Sequence, residues 1–275
     1  MTRPLTTPPV RDYESELGVL RAQNRELSLS AQAAQSREST ATAAYQQQTA
    51  LLATVAHELR NPLLPIKLAT QMLQRARTDD AAFAALQATI TGQVADMGRL
   101  INDLLDGARV TTGKYRLERT VVDVVSLIHL AVRTCTPTIE ERQHRLRVNL
   151  PQAPIRVLGD RLRLVQVFGN LIGNAAKYTL PGGELAIGVS VEGAEVAISF
   201  KDNGTGISAA ALPHIFDLYV QDAHAEGVAP GGLGIGLALV RELVAAHEGS
   251  VGATSDAQAG GTEFVVRLPL AVSLN

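Results

Sequence analysis

The segment LLATVAHELRNPLLPI, residues 51–66, places a histidine, a carboxylate and an amide on one stretch of predicted helix. His57 is followed directly by Glu58, and Asn61 lies one turn further along, on the same face as His57. A neutral imidazole nitrogen is a nucleophile near neutral pH, and a neighbouring carboxylate can orient the ring and take up its proton. The alternative is an ordinary amphipathic helix whose histidine has only a structural role. This segment by itself leaves both interpretations open.

Residues 11–50, upstream of this segment, carry apolar side chains with a seven-residue period. The period predicts a coiled coil, whereas the alternative is one amphipathic helix packed on its own domain. The same register turns His57 away from the seam that contains Val55 and Leu59, so we expect its ring to be exposed to solvent. Residues 1–10 are rich in proline and threonine and are predicted to be disordered. The two seams consist of Leu17, Asn24, Ala31, Glu38, Tyr45, Leu52 and Leu59, and of Tyr13, Leu20, Leu27, Ala34, Ala41, Gln48 and Val55.

A second helical pattern follows, with apolar residues three and four positions apart between about Asp80 and Thr111. Because the break near residues 77–80 is short, residues 51–112 are predicted to form an antiparallel helical hairpin. A hairpin with one apolar face cannot bury that face alone, and two copies would bury it as a four-helix bundle in a homodimer. Residues 113–119 are predicted to be a linker. The apolar residues are Phe83, Leu86, Ile90, Val94, Met97, Ile101, Leu104 and Ala108.

Composition narrows the class of protein. The chain has 275 residues, of which 46% are hydrophobic and 19% charged, as in a globular protein with ample core. Its formal net charge of −2 provides no basic surplus for nucleic acid. The single cysteine, Cys135, excludes an internal disulfide and a cysteine metal cluster. The sequence shows neither the apolar core of a signal peptide nor an apolar run long enough for a bilayer, so we expect a cytoplasmic protein without membrane insertion.

Residues 120–275 combine short strand patterns with separate helical patterns. Successive alternating strands with helices gathered elsewhere predict an α+β sandwich, in which one sheet is covered on one face by helices. Strands are predicted at residues 145–150, 155–158, 184–192, 195–201, 250–254 and 262–268, and helices near residues 124–142, 161–178 and 237–247.

The first motif of this half is NLIGNAAKYT, residues 170–179, on a predicted helix. Asn170 and Asn174 lie one turn apart on one face, and Lys177 is close to that stripe. Amide oxygens are suitable ligands for Mg²⁺, which also binds phosphates, and a lysine offers a phosphate a positive charge. A solvated helix face is the alternative interpretation.

The second motif is KDNGTGIS, residues 201–208, at the end of a predicted strand. Asp202 can accept a hydrogen bond from an exocyclic amino group such as that of adenine. Gly204 and Gly206 allow the backbone to approach a ligand and to form turns closed to other residues. An ordinary strand-to-helix turn is the alternative.

The third motif is PGGLGIGLALVREL, residues 230–243. Gly232, Gly234 and Gly236 alternate just before a helix, where bare amides and a helix N-terminus favour phosphates. The spacing matches neither a P-loop nor a dinucleotide-binding fingerprint. The polar stretch between Phe216 and Gly231 is long enough to act as a lid over a ligand.

The order and spacing of these motifs resemble the sensor histidine kinases of two-component signalling over roughly residues 51–270. HELRNPL resembles the phosphoacceptor box of that family, and NLIGNAAKYT its N box. DNGTGI and GGLGIGLAL resemble its two glycine boxes, IFDLYV its F box, and GGTEFVVRLPL its closing strand. The resemblance implies a dimerisation and phosphotransfer hairpin joined to a Bergerat-type ATP-binding domain at residues 120–275.

The resemblance also implies the role of individual residues. His57 would be the phosphoacceptor and Glu58 its base, and Asn61 would position a water in members that dephosphorylate their regulator. ATP and Mg²⁺ are the implied cofactors, with Asn174 and Asn170 as metal ligands. The implied partners are a response regulator receiver domain, a second copy of the chain and an upstream sensor protein. The implied nucleotide-binding residues are Asn170, Asn174, Lys177, Tyr178, Asp202, Gly204, Gly206, Ile207, Gly232, Leu233, Gly234, Gly236, Leu237 and Thr262, with Gly261 nearby.

One departure from the family concerns the lid. Lids of this family often contribute an arginine or lysine, whereas this chain has neither between Phe216 and Arg241. A basic group from the hairpin, for example Arg60, would compensate, or turnover would be slow. Two other functions therefore stay open: a dimeric scaffold that binds nucleotide with weak kinase activity, and a conformational ATPase of the wider Bergerat superfamily.

Overall fold

The computed structural model describes residues 13–73, 79–112, 117–222, 233–255 and 260–271. The predicted disorder of residues 1–10, part of the linker at 113–116 and most of the lid lie outside the described residues. The chain divides into two compact units, with the boundary in the sequence between Thr54 and Val55. No helix among the described residues is long and apolar enough to cross a membrane.

The first unit contains the beginning of a long helix, α1, which runs from Tyr13 to Leu73. Leu20, Tyr45 and Leu52, which occupy predicted seam positions, are exposed. The packed-helix alternative requires these side chains to be buried within a single chain, and they are not. The coiled coil itself stays a prediction.

The second unit begins with the helical hairpin, formed by α1 from Val55 onward and by α2, Asp80–Thr112. The Asp79 side chain accepts a hydrogen bond from the Ala82 amide at 3.0 Å, which satisfies one of the free donors at the start of α2. Both helices contribute to the wall of one cavity, α1 with Glu58, Asn61 and Pro62 and α2 with Gln93, Asp96, Arg99 and Leu100. Because these residues lie at similar distances from the connection, the two helices run antiparallel, as predicted.

The α+β domain, residues 117–271, follows the hairpin. Its main sheet has five strands in the order β2-β4-β5-β7-β6, with β2 parallel to β4 and all other neighbours antiparallel. The remaining strands, β1 and β3, pair antiparallel with each other. All six predicted strands are present, whereas β1 was not predicted. The strands are β1 (Thr120–Asp123), β2 (Arg145–Asn149), β3 (Arg156–Gly159), β4 (Glu184–Glu192), β5 (Glu195–Asp202), β6 (Ser250–Ser255) and β7 (Thr262–Pro269).

Three helices pack against the sheet through aliphatic side chains and phenylalanine. They are α3 (Val124–Glu141), α4 (Arg161–Tyr178) and α5 (Gly236–Ala246), each at its predicted place. Aspartates begin two of these helices, since Asp123 and Asp160 accept hydrogen bonds from the first-turn amides of α3 and α4. The rings of Phe168 and Phe200 join α4 to β5, with their centroids 5.8 Å apart. This buried core fixes α4 over the sheet and so positions its polar face.

Strand register brings two of the predicted site residues together. Asp202, the last residue of β5, is paired with Thr262, the first residue of β7. Both side chains are buried at this end of the sheet. The segment KDNGTGIS, which resembles the first glycine box, and the closing strand therefore meet although 60 residues separate Asp202 from Thr262 along the chain.

Candidate active site

A cavity of about 850 Å³ lies between the hairpin and the α+β domain. This volume falls within the range of small-molecule sites. The hairpin contributes Glu58 and Asn61 to its wall. The α+β domain contributes, among others, twelve of the predicted nucleotide-binding residues. They are Asn170, Asn174, Lys177, Tyr178, Asp202, Gly206, Ile207, Leu233, Gly234, Gly236, Leu237 and Thr262.

The carboxyl group of Asp202 is held in one orientation by backbone amides. Its Oδ1 accepts hydrogen bonds from the amides of Gly204 at 2.9 Å and Thr262 at 3.2 Å. Burial raises the pKa of Asp202, and these two hydrogen bonds oppose that rise. No other hydrogen bond to this carboxyl group is seen among the described residues. Its second oxygen is thus suited to accept a hydrogen bond from an amino group in the cavity.

Two glycines beside Asp202 are required by close packing. A Cβ at Gly204 would overlap the carbonyl of Tyr178. Gly261 has a φ of +93°, and a Cβ there would lie 2.5 Å from the carbonyl oxygen of Asp202. Any larger residue at either position would push the backbone away from the buried carboxyl group. Gly204 therefore allows the close backbone packing that positions Asp202, and it is not itself part of the cavity wall.

The polar face of α4 carries the predicted metal and phosphate residues. Asn170 and Asn174 are half-buried and both line the cavity. The Asn170 amide nitrogen donates to the Gly236 carbonyl at 3.4 Å, which joins α4 to the start of α5 and turns its oxygen to other partners. Two amide oxygens one turn apart fit the oxygen ligands that Mg²⁺ prefers.

Lys177 lies further along the same helix and is half-buried. Burial lowers the pKa of Lys177, whereas the negative charge of Glu58 raises it and the positive charges of Arg99 and Arg142 lower it. Its Nζ lies 5.1 Å from the ring centroid of Tyr178, an arrangement that favours the charged form. The lysine of the α+β domain is therefore within electrostatic range of the residue that follows His57.

His57 is exposed, as the helical register predicts. Its Nδ1 lies 3.4 Å from Nδ2 of Asn61, which is the contact expected for residues four apart on a helix. His57 is not part of the cavity wall, but Glu58, which follows it directly, and Asn61, one helical turn further on, are. The imidazole thus lies at the margin of the cavity with Nδ1 next to an amide.

The structure gathers most of the predicted residues around one space. Gly232 lies outside the described residues, as do residues 223–231 of the predicted lid. The described beginning of the lid is anchored, because Asp222 accepts hydrogen bonds from the Ser208 amide at 2.7 Å and hydroxyl at 3.1 Å. Thr262 also contacts Ser255, with 3.1 Å between the two hydroxyl oxygens.

Sequence reasoning missed the cavity wall contributed by α2. Gln93, Asp96, Arg99 and Leu100 face the site, whereas Arg60 is exposed and is not part of the wall. The spacing of residues 93, 96 and 100 places them on one helix face, so a helical projection could have grouped them. Which face would meet the other domain was not readable from the sequence.

A polar contact between the hairpin and α4 was also missed. Asp106 is buried, and its Oδ2 accepts a hydrogen bond from Gln166 at 2.6 Å. Its Oδ1 lies 3.6 Å from the guanidinium of Arg163. Next to it, a Cβ at Gly107 would lie 3.0 Å from the Ile235 side chain, so the helix and the second glycine segment are in close contact. These contacts hold the hairpin against the α+β domain.

Comparison with known proteins gives two family matches along this chain. Residues 47–113 match the family described as His Kinase A (phospho-acceptor) domain. Residues 159–272 match the family described as Histidine kinase-, DNA gyrase B-, and HSP90-like ATPase. The two matches cover the hairpin and the larger part of the α+β domain.

Curated relatives carry consistent names. Over 77% of this chain, the probable sensor histidine kinase TcrY of Mycobacterium tuberculosis is 34% identical. The signal transduction histidine-protein kinase BaeS of Escherichia coli is 31% identical over 77% of this chain. The chain spans less than half the length of these two relatives, 44% of each.

Solved structures show the same fold. The full-length structure of ShkA in complex with AMPPNP has a TM-score of 0.59 and 28% identity, covering 81% of this chain and 46% of ShkA. The histidine kinase AdeS of Acinetobacter baumannii has a TM-score of 0.57 and 22% identity, covering 78% of this chain and 98% of that one, and supports the fold alone. From its two family matches, its relatives and its site geometry, the chain belongs to the sensor histidine kinases of two-component signalling.

Proposed function

We propose that this chain is an ATP-dependent protein-histidine kinase that phosphorylates His57 and passes the phosphoryl group to an aspartate of a response regulator receiver domain. The observation that carries the proposal is the shared cavity: Glu58 and Asn61 of the hairpin line the same space as Asp202 and Lys177 of the α+β domain. A nucleotide bound in that cavity would have its phosphates close to His57.

The α+β domain would hold the nucleotide by its two ends. The Asp202 carboxyl group would accept a hydrogen bond from the adenine amino group, and the buried position of that carboxyl group excludes competing water. Lys177 would contact phosphate oxygens. Asn170 and Asn174 would hold Mg²⁺ through their amide oxygens, and the metal, when bound, neutralises part of the phosphate charge.

The hairpin would supply the nucleophile. Because Nδ1 of His57 faces Asn61, Nε2 is the nitrogen that we expect to react. Its lone pair would form a bond to the terminal phosphorus, the bond from that phosphorus to the bridging oxygen would break, and ADP would leave with the electron pair. The ring proton on Nδ1 would pass to the Glu58 carboxylate. Before the reaction, the Asn61 amide, turned by half a rotation, would offer its oxygen to the Nδ1 proton and hold the reactive tautomer until that proton passes to Glu58.

Labelling with γ-³²P-ATP tests the kinase directly. We expect the wild-type chain to acquire acid-labile, alkali-stable label and His57→Gln to acquire none, because phosphohistidine requires that ring. The binding of ADP should be unchanged in His57→Gln, since the residue lies outside the nucleotide pocket wall. Wild-type protein that hydrolyses ATP without becoming labelled would overturn the proposal in favour of a conformational ATPase.

The absence of lysine and arginine from the lid favours a second candidate, a dimeric scaffold that binds nucleotide with weak kinase activity. Residues 217–240 contain no lysine or arginine to hold the phosphates. This candidate predicts normal nucleotide affinity with label that never approaches one phosphate per chain. The same labelling experiment, followed to completion, separates the two candidates.

The remaining partners follow from the hairpin surface. Large apolar side chains on both helices, including Leu64, Leu68, Val94 and Ile101, are exposed in the single chain. We propose that a second hairpin covers them in a homodimer with a four-helix bundle, preceded by the predicted coiled coil. Input from an upstream sensor through that coil, regulator dephosphorylation assisted by Asn61, and a cytoplasmic location are further parts of this proposal.

A further inference from the structure

The positive charges that line the cavity come from outside the lid. Residues 217–240 contain no lysine or arginine. Among the described residues that line the cavity, three are cationic: Lys177, Arg142 and Arg99. A bound triphosphate carries several negative charges, so we asked which of these three cations can contact its phosphates and which has a structural role.

Arg142 is already engaged in the structure of the domain. Its Nη1 donates hydrogen bonds to the carbonyl oxygens of Lys177 at 3.0 Å and Thr179 at 3.3 Å. These are the carbonyls at the C-terminal end of α4, which need donors because no further helical turn follows. We therefore assign Arg142 to the stability of α4.

Arg99 is in a different situation. It lies on α2, its side chain is 72% exposed, and its Nη2 forms an ion pair with Oδ1 of Asp96 at 3.0 Å. Both partners are exposed and lie on the same helix, and such pairs contribute little to stability. The guanidinium can therefore leave Asp96 for a more highly charged partner in the cavity that both residues line.

The position of Arg99 is also suitable. It lines the cavity together with Lys177, and its positive charge lowers the pKa of Lys177, so the two cations are within electrostatic range. Glu58 acts on Lys177 from the other helix of the hairpin. Arg99 thus belongs to the same hairpin wall of the cavity as Glu58, the residue that follows His57.

We propose that Arg99 contacts the terminal phosphate of ATP bound to the α+β domain and supplies, from the hairpin, the cation that the lid lacks. The inference rests on the proposed nucleotide site. A guanidinium can bind two phosphate oxygens at once, which orients the group as well as offsetting its charge. Because ADP has no terminal phosphate, the contact distinguishes ATP from ADP and forms only when the hairpin and the α+β domain are together.

Nucleotide affinity measured by isothermal titration calorimetry tests this contact without requiring turnover. The full 275-residue chain would be compared with Arg99→Gln, Arg99→Lys and Arg60→Gln, each titrated with AMPPNP and with ADP in the presence of Mg²⁺. Arg60→Gln is the matched control, since it removes the same charge from the same hairpin at an exposed position outside the cavity wall.

We expect Arg99→Gln to weaken AMPPNP about tenfold, as for one charge-assisted contact, and to leave ADP unchanged. Arg99→Lys should retain part of the AMPPNP affinity, and Arg60→Gln should change neither nucleotide. Equal losses for AMPPNP and ADP in Arg99→Gln, or equal effects of the Arg99 and Arg60 substitutions, would overturn the assignment.

This outcome is separable from the kinase proposal. If the wild-type chain binds both nucleotides but acquires no label, the kinase proposal fails while the affinity comparison still decides the role of Arg99. If the wild-type chain binds neither nucleotide, both proposals are overturned.

Discussion

The α+β domain and the hairpin differ in where their apolar side chains lie. In the α+β domain, Phe168, Leu171 and Phe200 are fully buried under helices of the same chain. In the hairpin, Val94 and Ile101 are exposed, although their sequence spacing is as regular as that of α4. The comparison teaches that amphipathic periodicity identifies an apolar face without saying whether the same chain covers it. One domain completes its core alone, and we expect the other to need a second copy.

The largest expected effect concerns the core of the α+β domain. Phe168→Ala removes a fully buried ring that contacts Phe200, and we expect the free energy of unfolding of this domain to fall by about 3–5 kcal/mol. Urea unfolding followed by circular dichroism would measure the loss. Because the core lies within one chain, the loss should not depend on protein concentration.

The matched substitution in the hairpin is Phe83→Ala, at a ring that is exposed in the single chain. Its effect should be smaller, and it should grow with protein concentration if a second hairpin covers the ring. A concentration-independent loss of the same size at both phenylalanines would remove the distinction between the two domains.

A second, intermediate effect concerns association. Ile101→Asp places a charge on the exposed apolar face of α2, and we expect the molar mass measured by light scattering to shift toward that of the monomer. Val191→Asp is the control, because Val191 is also exposed but lies on β4, away from the hairpin. If Ile101→Asp remains as associated as the control, the exposed hairpin face is not the dimer interface.

The smallest expected effect is a pH dependence of the α+β domain. His247 is buried at the end of α5, where its Nδ1 lies 2.7 Å from the Leu243 carbonyl and its Nε2 lies 2.9 Å from the Asp160 amide. Only the neutral ring can donate to the carbonyl and accept from the amide. Burial, the largest cause, and the charge of Arg119 lower the pKa of His247, whereas the bond to Leu243 and the charge of Asp160 raise it.

A lowered pKa in the folded state means that the unfolded chain binds the proton first. We expect the stability from His247 to be complete above about pH 6.5, the usual value for histidine, and to be lost as the pH falls below it. Thermal unfolding between about pH 5 and 8, the range in which histidine titrates, would measure how the stability of the domain changes with pH. His247→Gln should flatten this slope, whereas the exposed His129→Gln should not. An unchanged slope in His247→Gln would contradict this assignment.

The sequence predicted the main elements of the α+β domain closely because their patterns are local. Alternation identified β4 and β5, and helical patterns in the sequence identified α3 and α4. Strand β1 was not predicted, since its four residues take their conformation from pairing with β3. Asp202, Lys177 and Asn174 line one cavity in the structure. The sequence could predict them because each belongs to a motif whose residue types can bind part of a nucleotide.

Residue types and spacing by themselves determined the family, the helical hairpin, the sheet-and-helix domain and the exposed position of His57. Tertiary structure decided which face of α2 meets the α+β domain, and therefore that Arg99 rather than Arg60 lines the cavity. It also decided the buried contact of Asp106 with Gln166. The physical reason is that helical periodicity is a property of consecutive residues, whereas the contact between two domains depends on shape and charge matched across residues far apart in the chain.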